Sequence, residues 1–258
     1  MKKKRVLEII ILLLLGVMLF SGYKVFKIYQ NDKQVRQQYE QIEQMIQQEP
    51  EETVEEDGNI TSQQKYQSIY EQNNDFIGWI YIPGTELSYP VMHTPSDPEY
   101  YLRKDFNGKY SIHGVPFVDF RCVIDESDST IIYGHNMMNG TMFGVLENYK
   151  DENFWQQHRY IGFDTMNGYG IYEVAMFGIV DLLTDTFNYI ESVDFGSQQT
   201  FDDYISKVKA YACYETDVEL CYGDKFILLS TCETNNADGR YIVIAKKISD
   251  EELSMFYK

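Results

Sequence analysis

The chain lacks most of the features that would place it at once. Its 258 residues contain four cysteines, Cys122, Cys213, Cys221 and Cys232, with no Cys-x-x-Cys pair and no Cys/His zinc spacing. A metal centre therefore has no ligand set, and four cysteines are too few for a disulfide framework in a chain of this length. A Cys213–Cys221 bridge is compatible with an extracytoplasmic domain, but Cys122, Cys213 and Cys221 read as small hydrophobes. Positive charge is scarce beyond the first stretch. Residues 1–36 hold eight of the 22 Lys/Arg and two of the 40 Asp/Glu, so the remainder carries 14 basic and 38 acidic side chains, a formal −24. Such a surface repels phosphate backbones and excludes nucleic acid as a partner. No internal repeat is present, which removes solenoid and array architectures.

One long apolar run stands at the start. Lys2-Lys-Lys-Arg5 precede Val6–Tyr23, 18 residues whose only charge is Glu8. That length spans a hydrocarbon core, and the basic residues before it favour a cytoplasmic N-terminus and an extracytoplasmic remainder. Leu19-Phe-Ser-Gly-Tyr23 lacks a small-x-small cleavage site and Lys24 and Lys27 follow at once, so the run reads as an uncleaved single-pass anchor. Val35, Tyr39, Ile42 and Ile46 then recur at helical spacing in a Gln-rich stalk, and Glu49–Gly58 is an acidic, Pro- and Gly-bearing linker. The organisation expected is a basic tip and anchor over 1–23, a helical stalk and linker over 24–60, and a compact domain over 61–258.

Thr61 and Gln64 have capping-box spacing ahead of a short helix. Strand signals follow at Gly78–Ile82, Leu87–Val91, Val115–Asp119, Thr130–Tyr133, Arg159–Asp164, Gly170–Val180, Phe226–Thr231 and Arg240–Lys246, separated by Gly, Pro, Asn and Asp. Eight short strands indicate a mainly β fold, a closed or nearly closed eight-stranded barrel. Two stretches read as helical, Met142–Tyr149 and Ser197–Tyr211. The second carries Phe201, Tyr204, Ile205 and Val208 on one face and lies between the sixth and seventh strands.

Chemistry concentrates at strand ends. Lys225-Phe-Ile-Leu-Leu-Ser-Thr-Cys232 delivers a thiol to the end of an apolar strand, Thr130-Ile-Ile-Tyr-Gly-His135 delivers an imidazole past another, and Arg240 opens the last. Together they form a nucleophile, an acid/base and an anion stabiliser, if the fold brings them together. The backbone N–H of Glu233 is a second oxyanion donor candidate. Taken alone, Cys232 is equally an inert core thiol, His135 a turn histidine and Arg240 a surface residue paired with Asp238 or Glu233. His93, His113 and His158 sit in polar loop contexts and receive no role.

These residues resemble the active-site set of the sortases, and of their class B branch. Asp75-Phe-Ile-Gly-Trp-Ile-Tyr-Ile-Pro83, Tyr89-Pro-Val91, Tyr100–Phe106, Asn139-Gly-Thr-Met-Phe143 and Leu229-Ser-Thr-Cys232 are similar to stretches of that family, in the same order. The resemblance implies an eight-stranded sortase-type barrel with N-terminal helices and a long helix before the seventh strand. It also implies membrane-anchored transpeptidation: cleavage of a surface protein's C-terminal sorting signal after threonine, a thioester on Cys232, and transfer to an amine of the cell-wall precursor. His135 would be the acid/base and Arg240 the oxyanion partner, with Ser230, Glu233, Leu102 and Pro98 at substrate-contacting positions. No cofactor is implied. Leu228 replaces a threonine frequent in the family. Pro98 stands where class B members often carry asparagine, and proline offers neither a backbone N–H nor an amide. The competing readings are a pilin polymerase using a lysine acceptor, a thiol protease, and a tethered binding module with an inert Cys232.

Overall fold

In the computed structural model the described residues are 2–48, 63–249 and 252. They fall into two units, Met1–Gln47 and Gln48–Lys258. The acidic linker and the Thr61 cap lie outside the described residues.

The first unit is a single helix, α1 (Lys2–Gln48), running through both the anchor and the stalk that the sequence separated. Nothing in it breaks a helix: Gly16 and Gly22 lie in open space, and each costs only about 1 kcal/mol of propensity. Its large apolar side chains from Val6 to Phe20 are all exposed. This is the one helix among the described residues long and apolar enough to cross a membrane. Water is a poor environment for such a surface and a bilayer a good one.

In the second unit a short helix, α2 (Gln63–Gln72), leads into eight strands. They are β1 (Phe76–Tyr81), β2 (Ser88–Met92), β3 (Phe117–Val118), β4 (Ser129–Tyr133), β5 (Tyr160–Thr165), β6 (Ile171–Asp181), β7 (Phe226–Cys232) and β8 (Gly239–Lys247). They close into a barrel in the order β1-β2-β3-β4-β7-β8-β6-β5. All eight expected strands are present. Only β3 is much shorter than Val115–Asp119, because the Val115 N–H donates to Tyr101 O instead of joining the ladder.

Two further helices interrupt the strands, α3 (Glu152–Gln157) and α4 (Gln198–Lys209). Ser197 and Thr200 cap α4 reciprocally, and its Phe201, Tyr204, Ile205 and Val208 are buried, as the sequence periodicity requires. The Met142–Tyr149 stretch forms a 3-10 segment, Phe143–Lys150, entered through Met142 at a positive φ of 54°. A shorter 3-10 turn spans Tyr100–Arg103, and neither it nor α3 was legible in the sequence.

The pairing that matters most is parallel. Strand β4 lies beside β7 with Ile131 opposite Leu228, Ile132 opposite Leu229 and Tyr133 opposite Ser230. On the far side of β7, β8 runs antiparallel. Strand β7 is buried from Phe226 through Thr231, and Phe195 packs between Phe201 of α4 and Phe226. Only Cys232 emerges.

Candidate active site

Register alone gathers the three sequence candidates. Because β4 and β7 are parallel, His135 and Cys232 leave the barrel side by side, each two residues beyond the Tyr133/Ser230 pair. On the other flank Cys232 is paired in register with Arg240. Two further hydrogen bonds keep the tips of β4 and β7 together: Gly134 N–H to Ser230 O at 3.2 Å and Thr231 Oγ1 to Gly134 O at 2.7 Å. Gly134 must be glycine, since a Cβ would sit within 3.0 Å of the Phe143 ring.

His135 is held by its Nε2, 2.7 Å from the carbonyl of Leu102. A carbonyl only accepts, so Nε2 carries a hydrogen and, in the neutral ring, Nδ1 is the basic atom. Burial pushes the imidazole below the usual histidine range, and the charge of Arg103 adds to that, outweighing the Leu102 carbonyl. The neutral form is therefore favoured. Gly114, at a φ of +61°, permits this contact: a Cβ there would meet Leu102 O at 2.8 Å and the His135 ring at 3.2 Å.

Arg240 donates from Nη1 to Ala237 O at 2.9 Å and Gly239 O at 2.8 Å, which fixes the guanidinium at the start of β8. It forms no ion pair with Asp238 or Glu233 among the described residues. Cys232 is exposed and, like the other three cysteines, free. Cys122 is buried, and burial pushes its thiol up to about 11. Cys213 and Cys221 correct the sequence expectation, for both are exposed rather than packed as small hydrophobes, and they are not bridged. His113 lies in a loop, as expected, but is buried there.

Cys232, His135 and Arg240 line one groove of about 590 Å³. Pro98, Leu102 and Ser230 line it too, three of the four substrate-contacting positions expected from sequence. Glu233 does not line it. Its N–H, expected as an oxyanion donor, instead donates to Gly239 O at 2.9 Å, because the β7–β8 pairing continues one residue past the cysteine. Among the described residues no group of three or more His, Cys, Asp or Glu is arranged to hold a metal ion.

Sequence reasoning missed the groove's far wall. The Asp119 carboxylate accepts from Arg121 Nε at 2.8 Å, Arg121 Nη2 at 2.9 Å and Tyr133 OH at 2.8 Å. Burial alone would raise this carboxyl, but those hydrogen bonds outweigh it and hold it below the ordinary range. Arg121 Nη2 also donates to Ile190 O at 2.7 Å, fastening the segment before α4 to the β3–β4 edge. Tyr189 in that segment shares a 2.8 Å hydrogen bond with Ser230 Oγ, and Tyr204 of α4 donates to Tyr189 O at 2.6 Å. The one local signal was the acid–base spacing of Asp119 and Arg121. The partner carbonyl of Ile190 lies 69 residues from Arg121.

Residues 80–248, well over half of the chain, match the sortase domain family. The chain belongs to the sortase family. It is 34% identical over 254 residues to sortase B of Staphylococcus aureus (strain NCTC 8325 / PS 47), covering 96% of this chain and 99% of that one. Sortase B of Listeria monocytogenes serovar 1/2a is 32% identical, with 92% and 95% covered. A solved Staphylococcus aureus sortase B–substrate complex superposes with a TM-score of 0.75 at 31% identity, over 86% of this chain and 99% of that chain. This sortase is a sortase B-type cysteine transpeptidase of the cell surface, which sorts surface proteins by joining sorting-signal-bearing substrates to amine acceptors. Its long apolar N-terminal helix is a candidate membrane anchor.

Proposed function

We propose that this sortase cleaves a C-terminal sorting signal after threonine, holds the protein as a thioester on Cys232, and transfers it to an amine of the peptidoglycan precursor. The reading rests on one observation, that His135, Cys232 and Arg240 line a single groove at the ends of three adjacent strands. The Cys232 thiol gives its proton to Nδ1 of His135 as sulfur attacks the threonine carbonyl. The guanidinium of Arg240 faces the oxyanion that develops. Nδ1–H then protonates the departing amine, the C–N bond breaks, and the thioester remains. Leu102, Ser230 and Pro98 contact the sorting signal, in a groove whose wall is set by Tyr189 and Ile190. Pro98 has no amide with which to read a polar side chain, so this groove selects its motif through the other lining residues. The basic tip and α1 hold the domain on the outer face of the membrane as a single-pass anchor, with the compact domain from about residue 61 onward.

The test incubates the soluble domain with a panel of sorting-signal peptides and amine acceptors and follows Cys232 by mass spectrometry. A thioester and an amide product that both require Cys232 support the reading, and the panel identifies the motif. Absence of any adduct, together with resistance of Cys232 to alkylation, overturns it.

A further inference from the structure

The β4–β7 ladder ends at the Tyr133/Ser230 pair, two residues short of His135 and Cys232. Both reactive groups therefore lie beyond the last pairing of these two strands, and Cys232 is exposed, with little packing to fix it. Asn136, which directly follows His135, carries the connection further. Its Nδ2 donates to the carbonyl of Cys232 at 2.9 Å and to Thr234 Oγ1 at 3.1 Å. A carbonyl only accepts, so the amide nitrogen faces Cys232, and its two hydrogens serve the two acceptors without competition. The other end of the same peptide unit is also held, for the N–H of Glu233 donates to Gly239 O at 2.9 Å. The peptide after the nucleophile is thus gripped at its oxygen from the β4 tip and at its nitrogen from the start of β8.

The amide is anchored in turn. The Thr234 hydroxyl donates to Glu147, which also accepts from Lys150 Nζ at 3.0 Å and from Tyr241 OH at 3.3 Å. Tyr241 OH accepts from Lys150 Nζ at 2.6 Å and from the Thr234 N–H at 3.3 Å, so the phenol spends its single hydrogen on the carboxylate. Those bonds, the Thr234 one foremost, hold the Glu147 carboxyl below its ordinary range and keep it charged. Tyr241 is fully buried and directly follows Arg240 in β8. Each of the three reactive residues therefore has a member of one hydrogen-bond network within two positions of it: Asn136 after His135, Thr234 after Cys232 and Tyr241 after Arg240. The backbone on the histidine side is fixed as well, since the Phe143 N–H donates to His135 O at 2.9 Å.

We infer that Asn136 is a positioning residue of the reaction: its amide fixes the Cys232 carbonyl, and through that backbone the thiol, relative to His135. The inference rests on the catalysis proposed above. Asn136 does not line the groove that holds Cys232, so it acts through the backbone of the nucleophile and not through the sorting signal. Proton transfer from Sγ to Nδ1 and attack on the threonine carbonyl both need the thiol held in one place, and a misplacement of about 1 Å can cost about 10²-fold in rate. Without the Asn136 amide the tips keep the bonds from Gly134 N–H to Ser230 O and from Thr231 Oγ1 to Gly134 O, both on the barrel side of the reactive pair. The freed Cys232 carbonyl would turn to water, which accepts the exchange at small net cost, so the loss falls on geometry more than on stability.

The test compares the full-length chain, in detergent, with its Asn136→Ala, Asn136→Gln and Thr234→Val variants. The probe is the sorting peptide that the wild-type chain cleaves fastest in the panel above, and the rate of thioester formation per folded molecule is followed against peptide concentration. For Asn136→Ala the saturating rate should fall about tenfold while the half-saturating peptide concentration stays within about twofold. Asn136→Gln, whose longer arm still presents an NH2 group, should recover part of that loss. Thr234 is exposed, so Thr234→Val keeps the fold and removes the anchor of the amide; its saturating rate should fall about threefold at unchanged half-saturation. A saturating rate within about twofold of wild type in Asn136→Ala, or in Thr234→Val if the first variant does not fold, overturns the inference and leaves the proposed reaction standing. A loss confined to the half-saturating concentration does the same. Failure of the wild-type chain to form any thioester overturns both.

Discussion

Strands β4 and β7 each have two regions, a body and a tip, and they obey different rules. In the bodies, Ile131, Ile132, Ile227, Leu228 and Leu229 are fully buried and pair in register across the parallel ladder. At the tips the side chains turn polar, Tyr133 and His135 at the end of β4 and Ser230, Thr231 and Cys232 at the end of β7, and of the three on β7 only Cys232 emerges. The body sets the register, and the register decides where the reactive groups fall. A slip of one residue would turn every side chain of the strand to the opposite face. Stability and chemistry should therefore separate along a single strand.

The strongest test of that separation is Cys232→Ala. Loss of the nucleophile should lower amide formation by at least about 10³-fold, while thermal unfolding stays at the wild-type temperature, because an exposed thiol contributes little packing. Residual transfer near the wild-type rate would end the division between body and tip. Arg240→Ala comes next, with an expected loss of about 10²–10³ in kcat, the size typical of removing one oxyanion donor. Arg240→Lys should recover only part of this, since an ammonium keeps the charge but not the planar fork that engages Ala237 and Gly239.

The reverse experiment is made in the body. Leu229→Ala removes a fully buried side chain and should cost about 2–5 kcal/mol of stability. Thermal denaturation should show it, at about 2–4 °C per kcal/mol for a domain of this size. If turnover per folded molecule drops as well, the tip depends on fine packing beneath it, and the boundary between the two regions lies closer to the core.

The bodies were far more legible in the sequence than the tips. β-Branched and aromatic runs bounded by Gly, Asn and Asp mark strands wherever they sit, so all eight were readable. The position of α4 followed from the spacing of Phe201, Tyr204, Ile205 and Val208. At the tips the sequence could name Cys232, His135 and Arg240, because each ends or opens a clear strand. It could not show that the β7–β8 ladder engages the N–H of Glu233, nor that Arg121 reaches Ile190. Those contacts depend on how distant segments are brought together, and local pattern carries no record of them. Short elements without a full period, such as α3 and the turn at Tyr100–Arg103, were lost for the same reason.

The smallest expected effect concerns the protonation of His135, whose ring is held against the backbone carbonyl of Leu102. Burial disfavours the imidazolium, and the nearby positive charge of Arg103 disfavours it further. Arg103 is exposed, and Arg103→Ala removes its charge together with one exposed hydrogen bond, from Nη1 to Ile112 O at 3.2 Å. The titration midpoint of His135, followed by NMR of its ring protons, should start below the ordinary value of about 6.5 and move upward in the variant. The sign follows because the repulsion between Arg103 and the charged ring is gone while burial remains. The pH–rate profile then assigns the starting state: if His135 must be protonated, the alkaline limb moves up with the midpoint, and if it must be neutral, the acid limb does. A midpoint that stays fixed would mean that solvent screens Arg103 completely and that burial alone tunes the ring.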